Sequence, residues 1–178
     1  MNCSLSEISC EVLVASLKSN LSNLTELDLS WNKNFQDSGF LHLCSFLELP
    51  DCRLQTLRLM NCSLSEISCE VLVSSLKSNP SNLTELDLSW NKNFQDSGFL
   101  HLCSFLELSD CKLHTLRLMN CSLSNNIWKP LISALKSNPS NLVELDLRWN
   151  RDLQDSGFPH LFLFGFLESP DYRLQTLK

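Results

Sequence analysis

Several features are scarce or missing in this chain, and each absence narrows what it can do. Glycine occurs only 4 times in 178 residues and never in a glycine-rich loop, so no backbone cradle for a nucleotide phosphate is present. Basic residues do not cluster, and 14 Lys and Arg stand against 20 Asp and Glu, for a formal charge of −6. That balance argues against nucleic acid as a partner, because phosphate binding needs grouped cations. No stretch approaches the about 18 consecutive apolar residues of a membrane-spanning helix, so no membrane partner is expected. The opening residues carry Glu7, Glu11 and Lys18 without an apolar segment and a small-residue cleavage site, so no secretory leader is expected. C-x-x-C, H-E-x-x-H and G-x-S-x-G are all absent, which removes the common metal, redox and nucleophile motifs. His42, His101 and His160 share a column beside a core leucine and are expected on a helix surface. The chain is expected to be no enzyme and to carry no cofactor or metal site. Linkers and low-complexity segments are missing too, so residues 1–178 are read as a single domain.

What is present is repetition. The phrase MNCSLSEISCEVLV starts at Met1 and returns at Met60, and MNCSLS starts again at Met119, a period of 59 residues. Blocks 1–59 and 60–118 differ at only five positions, Ala15/Ser74, Leu21/Pro80, Pro50/Ser109, Arg53/Lys112 and Gln55/His114, and 119–178 is a more divergent third copy. Self-similarity of this kind marks a solenoid, in which a unit that cannot bury its apolar face alone stacks on copies of itself. Each 59-residue block contains two matches to L-x-x-L-x-L-x-x-N/C. The Asn type reads Leu24, Leu27, Leu29, Asn32; the Cys type reads Leu54, Leu57, Leu59, Cys62. The pair recurs at Leu83–Asn91 and Leu113–Cys121, then comes Leu142–Asn150, and Leu174 with Leu177 opens a sixth frame. This is the leucine-rich-repeat signature.

The signature has a physical meaning. L-x-L alternation sends the leucines to one face of a short strand and the intervening residues to the other. The Asn or Cys that follows is expected to turn inward and bond loop backbone, forming a ladder through the stack. Beyond it the spacing becomes helical: Leu13, Val14 and Leu17 in one segment, Phe40, Leu43, Phe46 and Leu47 in the next. Asp37 or Ser38 is the expected N-cap of the second helix type. Gly39, Gly98 and Gly157 follow that cap, where helix and strand backbones are expected to approach closely. Pro130, in the divergent Asn125–Pro130 stretch, falls in a first helical turn, which tolerates it. The expected fold is an α/β solenoid, a horseshoe of about six repeats with parallel strands on the concave face and helices on the convex face. Met1 occupies the same column as Met60 and Met119, and the chain stops inside a strand frame, so a fragment of a longer array is expected.

The 9 cysteines are odd in number. Equivalent ones two repeats apart stand roughly 10 Å from each other, given ~4.8 Å per strand, too far for a disulfide. Buried free thiols in a reducing compartment are expected. Asn-x-Ser/Thr triplets occur at Asn2, Asn20, Asn23, Asn61, Asn82 and Asn120; Asn61 and Asn120 flank the ladder, where a glycan would be crowded, and glycosylation is not expected.

Function therefore falls to the concave face. Its outward positions include Thr25, Glu26, Asp28, Ser30 and Trp31 in the first Asn-type repeat, Thr84, Glu85, Asp87, Ser89 and Trp90 in the second, and Val143, Glu144, Asp146, Arg148 and Trp149 in the third. The Cys-type repeats contribute Gln55, Thr56, Arg58, Met60 and Asn61, then His114, Thr115, Arg117, Met119 and Asn120. One column reads Asp28, Arg58, Asp87, Arg117, Asp146, Lys178, and neighbours in it are expected to pair across strands. Trp31, Trp90 and Trp149 recur at every second strand, roughly 10 Å apart, alternating with Met60 and Met119. These residue types are enriched in interface cores. The candidate protein-binding site is thus Trp31, Met60, Trp90, Met119 and Trp149 with Glu26, Glu85, Glu144, Asp28, Asp87, Asp146, Arg58 and Arg117.

At these residues a resemblance enters. The alternating Asn-type and Cys-type repeats resemble the ribonuclease-inhibitor subfamily of leucine-rich repeats. SNPSNLTELDLSWN (Ser78 to Asn91) and LQTLRLMNCSLSE (Leu54 to Glu66) resemble the C-terminal repeats of fish NACHT-domain receptors of the NLR type. The resemblance implies a cytoplasmic ligand-sensing module for protein partners, beside a NACHT domain of a parent chain, with an autoinhibitory role. The alternatives are a ribonuclease-inhibitor-like binder of a soluble basic protein and a structural spacer without its own ligand.

Overall fold

The structure is a computed structural model, describing residues 5, 7–19, 23–78, 82–137, 141–153 and 173–178. Strands and helices alternate: α1 (Glu7–Ser19), β1 (Glu26–Asp28), α2 (Gln36–Leu47), β2 (Thr56–Arg58), α3 (Glu66–Ser78), β3 (Glu85–Asp87), α4 (Gln95–Leu106), β4 (Thr115–Arg117), α5 (Trp128–Ser137), β5 (Glu144–Asp146) and β6 (Thr176–Leu177), with short 3-10 turns at Asn125–Ile127 and Arg151–Leu153. The strands form one parallel sheet in chain order, β1 to β6. The leucine frame sets its register, with Leu27 opposite Leu57, Leu57 opposite Leu86, Leu86 opposite Leu116, Leu116 opposite Leu145, and Leu145 opposite Leu177. The expected leucine-rich-repeat solenoid is what the chain forms.

The leucine columns and the inward helix faces make one continuous core. Leu57, Leu59, Leu86, Leu88, Leu116 and Leu118 are all at 1% exposure or less, facing Phe40, Leu43, Phe46 and Leu47 of α2 and their copies in α4. The ladder is a set of buried side-chain bonds. Asn91 Oδ1 accepts from the Cys62 and Leu64 N–H groups at 2.9 and 3.0 Å, and its Nδ2 donates to the Leu59 and Leu88 carbonyls at 2.9 and 2.8 Å. Asn150 repeats this set on Cys121, Leu123, Leu118 and Leu147. The Cys type is a weaker rung: the Cys62 thiol donates to the Leu29 carbonyl at 3.1 Å and the Cys121 thiol to that of Leu88 at 3.3 Å. Cys10, Cys44, Cys52, Cys62, Cys69, Cys103, Cys111 and Cys121 are all free and buried; Cys3 lies outside the described residues. Pro130 sits in the first turn of α5, after a 3-10 turn that Ser124 caps by accepting from the Asn126 N–H.

Two local expectations are corrected. Asp37 does not cap its own helix: Phe35 holds that place, with no side-chain cap bond. The Asp37 carboxylate reaches into the next repeat, accepting from the Ser65 N–H at 2.9 Å, the Ser65 hydroxyl at 2.6 Å and the Ser68 hydroxyl. Asp96 does the same with Ser124 and Asn126. The stacked neighbour is therefore the partner that a local reading assigns to the helix itself. The glycines face aromatic rings rather than strand backbone: a Cβ on Gly98 would stand 3.1 Å from the Phe94 ring, and one on Gly39 3.3 Å from that of Phe35 and 3.2 Å from the Cys10 sulfur. Gly157 and His160 lie outside the described residues; His42 and His101 are half-buried on their helices.

Candidate interaction face

The register puts Asp28 opposite Arg58, Arg58 opposite Asp87, Asp87 opposite Arg117 and Arg117 opposite Asp146. The cations nevertheless turn to the glutamates. Arg58 donates to Glu85 at 2.9 Å and reaches Glu26 at 3.9 Å; Arg117 donates to the same Glu85 oxygen at 2.7 Å and reaches Glu144 at 3.7 Å; Lys178 holds Glu144 at 2.9 Å. The reason is that each aspartate is already engaged by its own turn. Asp28 accepts the Ser30 N–H at 2.9 Å, Asp87 that of Ser89 at 2.9 Å, and Asp146 that of Arg148 at 3.1 Å. Asp87 and Asp146 are only 4% and 1% exposed, so of this column the aspartates of the second and third Asn-type repeats are turn-forming groups. Ser30 and Ser89 are also buried, and their hydroxyls accept from the Met60 and Met119 N–H groups. The outward reading fails for Ser30 and Ser89 because they lie beyond the three-residue strands, and for Asp87 and Asp146 because they fold back onto the turn that follows.

Charge states follow from these contacts. Burial pushes the Asp87 carboxyl above its ordinary range, and the Ser89 bonds offset this only in part. Burial acts in the same sense on Glu85, but the hydrogen bonds and charges of Arg117 and Arg58 outweigh it and hold the group low. On Asp146 the Arg148 guanidinium likewise overcomes burial, through a bond of 2.6 Å.

Beside this row of ion pairs runs the tryptophan edge. Trp31, Trp90 and Trp149 each take a left-handed backbone conformation, with φ of 69°, 68° and 67°, which is unfavourable for a bulky residue. The ladder over-determines it: the Trp31 N–H donates to the Met60 carbonyl and the Trp90 N–H to that of Met119, both at 2.7 Å. The turn sends the indoles outward, leaving them 46%, 38% and 66% exposed. Met60 and Met119 lie half-buried between them, and Asn61 and Asn120 are half-buried in left-handed turns of their own. The spacing differs from the expected value. Trp31 and Trp90 lean together, ring centroids 6.5 Å apart at 36°, because the indoles bridge much of the gap that their strands leave.

Trp149 does not join that contact. Between Trp90 and Trp149 a cleft of about 470 Å³ opens, walled by the two indoles, Lys92, Asn120, Arg151 and Asp152. Of these, Asn120 is among the expected outward positions, while Lys92, Arg151 and Asp152 are not. The signal for them was the W-N-K/R triplet: Lys33, Lys92 and Arg151 follow the three tryptophans at one offset. All three are exposed. Arg148 replaces the buried serine of the earlier copies and donates through its guanidinium to Asp146 and the Met119 sulfur.

Comparison with known proteins fits this geometry. The family described as Leucine Rich repeat matches at residues 20–44, 79–103 and 138–157. The chain is 49% identical over 144 residues to NACHT, LRR and PYD domains-containing protein 12 of Mus musculus, covering 81% of this chain and 13% of that protein. It is 43% identical over 176 residues to Ribonuclease inhibitor of Sus scrofa, covering 99% of this chain and 37% of that protein. The chain thus spans well under half the length of these relatives. Among solved structures, Leiomodin-1 Actin-Binding Site 2 superposes with a TM-score of 0.70 at 18% identity, over 92% of this chain and 88% of that one, a likeness of fold. With strand, helix and ladder all in the repeat frame, the chain is a leucine-rich-repeat solenoid homologous to the repeat regions of NACHT, LRR and PYD domains-containing proteins and to ribonuclease inhibitor.

Proposed function

We propose that this chain is a protein-binding repeat module whose recognition surface is the tryptophan edge of the concave sheet, with Met60 and Met119 between the indoles and the Glu85–Arg117 row as its polar border. The observation that carries the reading is the exposure of Trp31, Trp90 and Trp149 on a strained backbone, while Phe35, Phe40, Phe46, Phe94 and Phe99 are buried in the core. Large aromatics kept in water at a conformational cost suit a binding hot spot better than a packing role. The homology supports placing the module in a cytoplasmic NLR-type receptor, of the fish kind its repeat phrases resemble, beside a NACHT domain that it holds inactive until a ligand engages the edge. The 43% identity to ribonuclease inhibitor favours a second reading, a binder of a soluble protein with no signalling partner. Transcript sequence on both sides of the chain separates the two, since only the first requires a NACHT-coding segment.

The surface itself is tested with Trp90→Asn. Asparagine tolerates the left-handed conformation, so the variant removes the indole without adding strain. A partner captured by the wild-type chain should bind the variant about 2 kcal/mol more weakly, with circular dichroism unchanged. A variant that unfolds, or that binds as tightly as wild type, removes the proposed surface.

A further inference from the structure

The tryptophan edge carries a charge pattern that the ion-paired row beside it lacks. Along the ion-paired row each cation is matched: Arg58 and Arg117 to Glu85, Arg148 to Asp146, and Lys178 to Glu144. Lys33, Lys92 and Arg151 follow the tryptophans and form no ion pair among the described residues. These three cations stand in register on a chain whose formal charge is −6. Two of them, Lys92 and Arg151, wall the cleft between Trp90 and Trp149, against the single carboxylate of Asp152. The cleft is about 470 Å³, within the ~300–1,000 Å³ range of sites that bury a small ligand, and its two indoles stand clear of each other. The equivalent space between Trp31 and Trp90 is closed by their ring contact at 6.5 Å.

We infer that this cleft takes a tyrosine carried on an acidic segment of a protein partner, the ring lying between the two indoles and the flanking carboxylates on Lys92 and Arg151. The inference rests on the tryptophan edge being the binding surface and names the chemistry of what binds there. Offset or edge-on aromatic contacts with the indoles orient the ring. Asp152 offers an acceptor for the phenolic hydroxyl. The cations follow alternate strands in the turns beyond them, so successive ones are separated by about two strand spacings of ~4.8 Å, which an extended peptide at ~3.3 Å per residue spans in about three residues. An acidic segment running along the stack therefore meets Lys92 and Arg151 in turn. A basic segment would bring its own cations against them, which separates this partner from the basic protein that the overall acidic charge suggests.

The test uses the whole chain and three fluorescein-labelled peptides: tyrosine flanked by glutamates, tyrosine flanked by lysines, and alanine flanked by glutamates. Fluorescence anisotropy should show the glutamate-flanked tyrosine peptide binding tightest, and more weakly as salt is added. The double variant Lys92→Glu with Arg151→Glu should lose about tenfold in affinity for it and gain affinity for the lysine-flanked peptide. Trp149→Asn should abolish the tyrosine preference with circular dichroism unchanged. Equal binding of both tyrosine peptides, lost in Trp149→Asn, would overturn the acidic partner while sparing the tryptophan edge. Tighter binding of the lysine-flanked peptide, or no binding of any, would also overturn it. Binding of the acidic peptide that ignores Trp149→Asn would remove the cleft, and the proposed surface with it.

Discussion

Asn91→Ala is the substitution whose cost the structure states most directly. The residue is fully buried and its amide makes four bonds of 3.0 Å or less, two accepted from the Cys62 and Leu64 N–H groups and two donated to the Leu59 and Leu88 carbonyls, with a longer one to the Ser89 carbonyl at 3.5 Å. Alanine leaves three of these backbone groups unpaired in the core, while the Leu88 carbonyl keeps the Cys121 thiol at 3.3 Å. Each orphaned buried group costs about 1–3 kcal/mol; at the low end the three together cost ~3 kcal/mol, over half the stability of a domain at the bottom of the ~5–15 kcal/mol range. The matched control is Cys62→Ala, equally buried, whose thiol makes one short bond, to the Leu29 carbonyl at 3.1 Å. It should cost only about 1–2 kcal/mol. Urea unfolding followed by tryptophan fluorescence measures both, and the slope against denaturant checks that the transition stays cooperative. A loss under about 1 kcal/mol for Asn91→Ala, or equal losses for the two variants, would refute the claim that the asparagine rungs carry the ladder.

Other outcomes follow from single contacts. Burial raises the Cys44, Cys103 and Cys121 thiols to about 12 and Cys62 to about 11, so iodoacetamide at about pH 8 should label none of them until denaturant is added; a disulfide found by mass spectrometry in native protein would contradict this. The Glu85 carboxyl lies below its ordinary value of 4.5 in the folded chain, so its contribution to stability is present above that value and lost as pH falls through the folded one. Glu85→Gln should therefore flatten the acid limb of a plot of melting temperature against pH, and an unchanged limb would mean the arginine row contributes nothing. Gly98→Ala should destabilise by about 1–2 kcal/mol despite better helix propensity, because the new methyl meets the buried Phe94 ring at 3.1 Å; a raised melting temperature would show that the ring yields.

The fold was legible because each leucine frame is a local pattern with a single structural solution, and six frames in register leave no freedom in the sheet. The ladder asparagines were legible for the same reason. Beyond the ladder, what escaped the sequence was which side chains of one repeat meet those of the next. Asp37 looks like the cap of its own helix, and only the stacked structure shows the Ser65 and Ser68 hydroxyls within its reach. The charge column looked complete because Asp28, Arg58, Asp87 and Arg117 alternate in sequence; glutamates one pleat away claimed the arginines while the aspartates closed their own turns. The tryptophans were visible as a periodic feature. Their left-handed turns were not, since nothing in a tryptophan favours positive φ and the conformation is imposed by the backbone bonds to Met60 and Met119. The cleft beside Trp149 arises where the third indole stands apart from the second, a difference in side-chain placement that repeat periodicity does not carry.

The bonds between repeats also explain the size of the duplicated unit. Two kinds of junction alternate along the stack. Where an Asn-type repeat meets the following Cys-type repeat, Asp37 binds Ser65 and Ser68, Glu48 binds Ser75, and the Cys62 thiol binds the Leu29 carbonyl. Where a Cys-type repeat meets the following Asn-type repeat, Asn91 reaches back to Cys62, Leu64 and Leu59. Copying a single repeat would set like against like and strand the donors and acceptors of one junction. Copying the pair of repeats reproduces both junctions intact, and the chain repeats at 59 residues. Of the five positions that separate the first two copies, none takes part in the junction bonds named above, though Lys112 adds a longer one to Asn82 of the preceding repeat at 3.4 Å. In the divergent third copy, Ile127 stands where Ser68 would be, and Asn126 takes over the bond to Asp96. Such an array grows by a two-repeat tile whose edges match only themselves, so new recognition surface is added along the tryptophan edge two strands and one indole at a time.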